Sequence, residues 1–301
     1  METRTVPFND ANIAQAAELV LAGEPVAVPT ETVYGLAADA TNPEAVARIY
    51  EAKGRPSFNP LIVHVPDLGA AQRLGRFSTE AMELATRHWP GPLTLVVPLL
   101  EDAQIASIVT AGLPTIGLRV PTHPAMQALL RACDRPLAAP SANASGSISP
   151  TRASHVLKSL GGRIPLIIDG GATERGVEST IVGATGGPLR LLRPGPIEIE
   201  AELASGARIE APGQLASHYA PSKPLRVNAA TAESDEFFIG FGEIAGEASL
   251  SPSGDLVEAA ARLFDLLHEA DASGKPRIAV ARVPEIGLGR VINDRLRRAS
   301  A

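Results

Sequence analysis

Cys133 is the only cysteine in the chain, so an intrachain disulfide is impossible and a thiolate metal centre has too few ligands. No apolar run approaches the roughly 20 residues needed to span a bilayer. The opening METRTVPFND has no charged-then-apolar leader pattern, so the cytoplasm is the expected location. A basic excess is missing as well. The formal net charge is −6, with 16 Lys+Arg against 19 Asp+Glu in residues 1–200 and 11 against 14 in residues 201–301. Each part is therefore near −3, which argues against an extended nucleic-acid-binding surface. Several catalytic signatures are absent too: G-x-x-x-x-G-K-[ST], G-x-G-x-x-G after a strand, a G-x-S-x-G elbow and H-E-x-x-H. These absences leave no obvious protein nucleophile, P-loop, dinucleotide fingerprint or zincin site.

What is present describes a globular α/β protein. The 301 residues suit two domains, and 45% hydrophobic with 20% charged residues supply ample core material. The 26 prolines and 27 glycines punctuate short alternating strands and helices. Helical spacing covers residues 11–22, ended by Gly23. Asn42-Pro43 is an N-cap and first-turn signal for a helix to about Lys53. Further helices are expected at 78–88, 123–131 and 154–160. Strands are expected at 25–28, 61–65, 93–97, 115–120, 137–139, 166–169 and 189–192. This alternation implies a central mixed sheet. Near residue 200 the texture changes. Residues 201–224, with EAPGQLASHYAPSKP, read as a linker. Residues 225–301 read as a small α/β module with strands at 237–241 and 277–280 and helices at 256–270 and 288–299.

The richest segment runs from Pro29 to Val65. It opens on the hydroxyl-rich turn PTETVYG, passes through the helix that delivers Lys53 and Arg55, and ends on the strand carrying His64. Pro56 and Asn59 pin the loop after the two cations. Arg55 offers a planar fork for phosphate oxygens and Lys53 a point charge; solvated surface charges are the plainer alternative. His64 is either a satisfied core histidine or a hydrogen-bonding partner for a small polar ligand. In PSANASG, Ser141 and Asn143 share a face if the segment is extended, with Ala142 packing inward; an Asx or Ser turn has the same composition. The paired glycines of DGGATERGVEST could form an anion nest, with Ser179 and Thr180 entering the next strand. Arg119 and Arg193 each end a strand before a proline, placed to meet carboxylate or phosphate or to form structural ion pairs. Cations, hydroxyls and amides without a nucleophile are the inventory of positioning and charge stabilisation, as in nucleotidyl transfer.

In this order PTETVYGL, K-x-R-P (Lys53–Pro56), NPLIVH (Asn59–His64), WPGPLT (Trp89–Thr94), GLRVP, APSAN, SPT (Ser149–Thr151), DGG…GVEST and LLRPG resemble the threonylcarbamoyl-AMP synthase family, the YrdC-like proteins. The likeness covers about residues 15–200. HYAPSKP (His218–Pro224) resembles the two-domain form. The resemblance implies a YrdC-like domain (1–200) with a twisted mixed sheet and flanking helices, a linker (201–224), and a small Rossmann-like α/β domain (225–301). It implies nucleotidyl transfer from L-threonine, bicarbonate and ATP to threonylcarbamoyl-AMP and pyrophosphate. The product would pass to a tRNA threonylcarbamoyl transferase complex, without direct tRNA binding. Thr32, His64, Arg119, Ala139 and Ser179 would surround threonine, with Arg119 on its carboxylate. Arg55, Asn59, Thr115, Ser141, Ser149 and Arg193 would hold the nucleotide, and Lys53 and Asn143 would contact phosphates. Tyr219 would close over the nucleotide. Lys53 and Arg55 are the catalytic candidates, and Mg²⁺ is expected to be held mainly by ATP phosphates. Two other readings are an RNA-binding or ribosome-maturation factor, which the acidic balance disfavours, and carbamoyl-adenylate chemistry of the hydrogenase-maturation type, whose extra domains this chain lacks.

Overall fold

The computed structural model describes residues 2–204, 209–213 and 218–301. The first part runs β1 (Arg4–Pro7), α1 (Asp10–Leu21), β2 (Val26–Pro29), β3 (Tyr34–Asp39), α2 (Pro43–Lys53), β4 (Ile62–His64), α3 (Leu68–Gln72), α4 (Thr79–His88), β5 (Leu93–Pro98), α5 (Ser107–Thr110), β6 (Thr115–Arg119), α6 (Pro124–Cys133), β7 (Leu137–Ala138), α7 (Ala153–Leu160), β8 (Leu166–Asp169), β9 (Thr180–Gly183), β10 (Arg190–Arg193) and β11 (Glu202–Leu203). Then come β12 (Leu225–Ala229), β13 (Glu236–Gly240), β14 (Ala248–Ser249), α8 (Leu256–Ala272), β15 (Arg277–Ala281) and α9 (Leu288–Ala299). Among the described residues, eleven strands form one mixed sheet in the order β1-β8-β2-β3-β7-β4-β6-β5-β9-β10-β11. Four form a second sheet, β12-β15-β13-β14, which is parallel throughout. The chain is thus an α/β protein with a mixed sheet and flanking helices, followed by a smaller α/β unit.

Local chemistry accounts for the helix that matters most to the site. Asn42 accepts hydrogen bonds from the amides of Glu44 (3.0 Å) and Ala45 (3.3 Å), and Pro43 occupies the first turn. Gly54, at φ 59°, takes the left-handed conformation that ends α2 and turns the chain, a position where a side chain would be strained. Lys53 and Arg55 are therefore delivered from a fixed helix end rather than from a loose loop. Several elements left few marks in the sequence. The turn expected over Pro29–Gly35 forms at Thr30–Val33, but strand β3, which begins at Tyr34, left no mark in the sequence: its six residues are all buried, a strand covered on both faces shows no alternation, and Gly35, Ala37 and Ala38 are poor strand formers. Pairing with β2 and β7 decides it. β11 lies within the segment read as linker, yet it pairs in parallel with β10. Ala211 also packs with Ile62, Val96, Ile181 and Leu192. This part of the segment is laid onto the first sheet.

Helices cover both faces of the large sheet. α2 and α7 contribute Val46, Ile49, Val156 and Leu160 to one core, and α1 and α6 contribute Ile13, Val20, Met126 and Leu130 to the other. The third core joins the two parts of the chain: Val33, Ile148 and Val177 pack with Phe264, Leu267 and the rest of the C-terminal core. At Gly176 (φ 68°) the approach is so close that a Cβ would lie 2.2 Å from the Ala261 carbonyl oxygen. Arg152 donates from two nitrogens to Asp265 at 2.7 and 3.0 Å across the same interface. The apolar seam puts the end of α9 beside the strand ends that carry the candidate residues.

Candidate active site

Five strand ends and one helix end meet around a single cavity. The turn leaving β2 is held by Thr30, whose hydroxyl donates to the Val33 carbonyl at 2.6 Å and accepts from the Thr32 and Val33 amides. That turn fixes the Thr32 hydroxyl 2.8 Å from the Thr30 hydroxyl. β4 and β6 run parallel with His64 opposite Arg119, so both side chains reach the same end of the sheet. Ser179 enters β9 and Arg193 ends β10. The cavity, about 40 Å³, is lined by Thr32, Arg55, His64, Arg119, Ala139 and Ser141, and also by Glu178, Ser179, Arg193, His218 and Tyr219. A larger cavity of about 650 Å³ lies elsewhere, between the segment after β10 and α9. It holds Glu198, Glu200 and Arg290 but none of the buried polar atoms that lack partners.

Those partnerless atoms are what make the small cavity a candidate site. Among the described residues, both ring nitrogens of His64, Nε of Arg119 and the Tyr219 hydroxyl are buried without a hydrogen bond. A buried polar group left unsatisfied costs roughly 1–3 kcal/mol, and such groups in native folds call for an explanation. Four such atoms around one cavity fit a place kept for a polar ligand. The other ends of the arginines are tied down. Arg119 Nη2 donates to Glu31 Oε1 at 2.6 Å, and Glu31 Oε2 accepts from the Thr122 amide at 3.1 Å. Arg193 donates to the Ser179 carbonyl (3.0 Å) and hydroxyl (3.1 Å), and that hydroxyl lies 2.8 Å from the Thr94 hydroxyl. Arg55 donates to the Asn59 carbonyl (3.2 Å) and the Pro60 carbonyl (3.0 Å).

Burial sets the electrostatics. It lowers Arg55 to about 10 and lowers Arg193 as well. Lys53 is pushed well below the ordinary lysine value by burial and then by Arg55. Three guanidinium groups facing one cavity repel each other in a low-dielectric setting; an anion among them would relieve both the repulsion and the desolvation. His64 is lowered to about 3, first by burial and second by Arg119. It is therefore neutral near pH 7 and can both donate and accept. Burial pushes the Glu31 and Glu178 carboxyls up, but Arg119 overcomes this for Glu31, and Arg295 then Arg193 overcome it for Glu178, leaving both lowered and ionised.

Not every residue singled out in the sequence reaches the cavity. Lys53 Nζ donates instead to the carbonyls of Ser141 (2.6 Å) and Asn143, so it holds the PSAN segment from behind. That segment bends rather than extending. Ser141 consequently lines the cavity while Asn143 turns away, its Nδ2 on the carbonyls of Ala144 and Ser147; only Ala142 packs inward as the extended reading requires. Ser149 donates to Glu178 Oε1. Thr115 lines a neighbouring cleft that shares Ile62 and Pro212 with the cavity. Asn59 contributes its carbonyl to Arg55 and to the Tyr50 hydroxyl (3.0 Å). The paired glycines make no anion nest: the Gly170 amide donates to the Tyr34 hydroxyl and the Gly171 amide to Asp169 Oδ1.

Sequence reasoning missed Glu31, Glu178, His218 and Arg295. Glu31 and Glu178 stood inside motifs read for their hydroxyls, so adjacency to Thr32 and Ser179 was the available signal. Arg295 gave none, because arginines on a terminal amphipathic helix read as solvated.

Comparison with known proteins identifies the family. Residues 18–195 match the Sua5–YciO–YrdC family model, described as "Telomere recombination". Residues 190–301 match the model of "Threonylcarbamoyl-AMP synthase, C-terminal domain". Threonylcarbamoyl-AMP synthase of Bacillus subtilis (strain 168) is 41% identical, covering 99% of this chain and 95% of the relative. That of Pyrococcus abyssi (strain GE5 / Orsay) is 41% identical, covering 95% and 93%. The crystal structure of P. abyssi Sua5 complexed with L-threonine superposes with a TM-score of 0.90 at 37% identity, over 99% of this chain and 97% of that one. The chain belongs to the Sua5–YciO–YrdC family, in the form that carries the threonylcarbamoyl-AMP synthase C-terminal domain.

Proposed function

We propose that this protein is a nucleotidyltransferase that makes threonylcarbamoyl-AMP and pyrophosphate from L-threonine, bicarbonate and ATP, for transfer to tRNA by a separate enzyme complex. The observation that carries this reading is the meeting of Arg55, Arg119 and Arg193 with neutral His64 in one cavity. Two kinds of anion are accommodated by such a set, a carboxylate and a phosphate chain. Arg119, with Nε free of partners and Nη2 braced by Glu31, takes the threonine carboxylate. His64, Thr32, Ser179 and the backbone at Ala139 surround the rest of the amino acid. Arg55, Arg193, Ser141 and Tyr219 take the nucleotide. Asn59, Thr115, Asn143 and Ser149 shape its surroundings, and Lys53 sets the position of Ser141.

The chemistry asks little of a protein nucleophile. The threonine amine forms an N–C bond to bicarbonate while a C–O bond breaks, and the amine proton leaves with the hydroxyl as water; addition to carbon dioxide would release the proton alone. The resulting carbamate oxygen attacks the α-phosphorus, and the bond to the β-phosphate oxygen breaks to release pyrophosphate. The chain aligns the partners and offsets charge on the five-coordinate phosphorus and the leaving group. Among the described residues no cluster of His, Cys, Asp and Glu could cage a metal, and Glu31 and Glu178 are each paired with an arginine. A Mg²⁺ would therefore ride on phosphate oxygens, where it would neutralise charge on the departing pyrophosphate. Pro212 and Tyr219 help close the cavity to a volume suited to water molecules, so nucleotide entry requires that they move aside.

Arg55→Ala tests the reading through pyrophosphate release, measured with and without L-threonine and bicarbonate. The expected result is loss of release with an unchanged circular-dichroism spectrum. Near-normal threonine-dependent release from this variant would remove Arg55 and its cavity from the reaction.

A further inference from the structure

Among the described residues the largest fully buried side chain is a charged one, Arg295, and it belongs to α9 near the end of the chain. Its Nε donates to Glu178 Oε2 at 2.9 Å, its Nη1 to Asp294 Oδ2 at 2.6 Å and its Nη2 to the Pro194 carbonyl at 2.9 Å. Its guanidinium carbon lies 5.2 Å from the centroid of the Tyr219 ring. Every one of these partners except Asp294 belongs to the cavity wall or follows directly on Arg193. Stability alone is a poor reason for such a group, because replacing a buried ion pair by apolar side chains is often neutral or stabilising.

Glu178 gives the better reason. It lines the same cavity as Arg193, Arg119 and Arg55, so a triphosphate there would have a negative charge close by. Two cations act on it, Arg295 first and Arg193 second. Arg193, meanwhile, is held on Ser179, in place to face the cavity. We infer that Arg295 is a positioning residue for the nucleotide half of the site: it engages Glu178 so that Arg193 remains available to an anionic ligand. This inference rests on the proposed nucleotide reading. It assigns the C-terminal domain a part in nucleotide binding, since α9 reaches Glu178 only when that domain is docked. Without Arg295, Glu178 Oε2 loses its donor and the remaining nearby cation, Arg193, is drawn to it. The cavity then loses one cation to an internal pair and keeps the acidic group.

The test compares wild type, Arg295→Met and the double variant Arg295→Met/Glu178→Gln. The readouts are steady-state pyrophosphate release and calorimetric titration with ATP. Arg295→Met should raise KM for ATP and weaken ATP binding about tenfold or more, while KM for threonine moves less than about threefold. The double variant, with no uncompensated carboxylate, should return ATP affinity to within about threefold of wild type. Unchanged ATP affinity in Arg295→Met, equal losses for both substrates, or a double variant no better than the single one would overturn the inference. Should Arg295→Met not fold, the double variant decides: wild-type-like ATP binding supports the inference and weak binding overturns it. ATP titration does not require turnover, so a wild-type protein that binds ATP but releases no pyrophosphate with threonine would sink the proposed reaction and still let this inference be judged.

Discussion

Replacing Arg119 by Met separates what the Arg119–Glu31 pair does for the fold from what Arg119 does for a ligand. Both side chains are about 95% buried, at 5% and 4% exposure, and Nη2 lies 2.6 Å from Oε1. Removing one partner of a buried pair leaves the other charge uncompensated, which costs about 3–5 kcal/mol, a large share of the roughly 5–15 kcal/mol that holds a typical domain together. Adding Glu31→Gln should return most of that loss, since a neutral amide still accepts from the Thr122 amide. Ligand binding should behave differently. Charge-assisted hydrogen bonds to a carboxylate contribute about 1.5–3 kcal/mol each, so losing two weakens threonine affinity by roughly 10²- to 10⁴-fold. Urea unfolding and calorimetry with L-threonine on wild type, Arg119→Met and Arg119→Met/Glu31→Gln measure the two quantities on the same samples. Stability recovered without threonine binding is the expected outcome. A double variant that binds threonine like wild type would refute the assignment of Arg119 to its carboxylate.

Lys53→Ala removes the donor shared by the Ser141 and Asn143 carbonyls, and it is expected to abolish threonine-dependent pyrophosphate release; release within about threefold of wild type would contradict the bracing role. His64 and His218 are both lowered to about 3 by burial, so the unfolded chain binds their protons first as pH falls below the ordinary value near 6.5. Stability from these two groups is complete above that value and shrinks toward acid. Urea unfolding should show a loss of about 1.4 kcal/mol per histidine between about pH 7.5 and about pH 5.5, and an unchanged midpoint would argue against neutral buried rings. At Gly213 (φ 81°) an added Cβ would lie 2.8 Å from the Tyr219 hydroxyl and 2.9 Å from Arg193 Cδ. Gly213→Ala should raise KM for ATP several-fold, and unaltered kinetics would separate Gly213 from the site.

The helix that delivers Lys53 and Arg55 was legible because its signals are local: Asn42-Pro43 at one end and Gly54 at the other act within four residues of themselves. The strands carrying His64, Arg119 and Arg193 were legible from apolar runs and the prolines that follow the arginines. Strand β3 was not, since a strand covered on both faces and built on glycine and alanine has neither alternation nor propensity to show. The bend at Ser141–Asn143 was hidden for a related reason. It depends on Lys53, 88 and 90 residues away, pulling two carbonyls toward one ammonium.

The sequence alone determined the α/β alternation, the anion-seeking inventory of arginines and hydroxyls, and the family likeness, because these rest on residue type and short spacing. Tertiary structure alone decided which charges answer one another. Arg119 meets Glu31 across 88 residues and Arg295 meets Glu178 across 117, in a dry interior where an uncompensated charge is too costly to keep. Partners of that kind are chosen by the packing of whole strands and helices, and no local pattern records the choice.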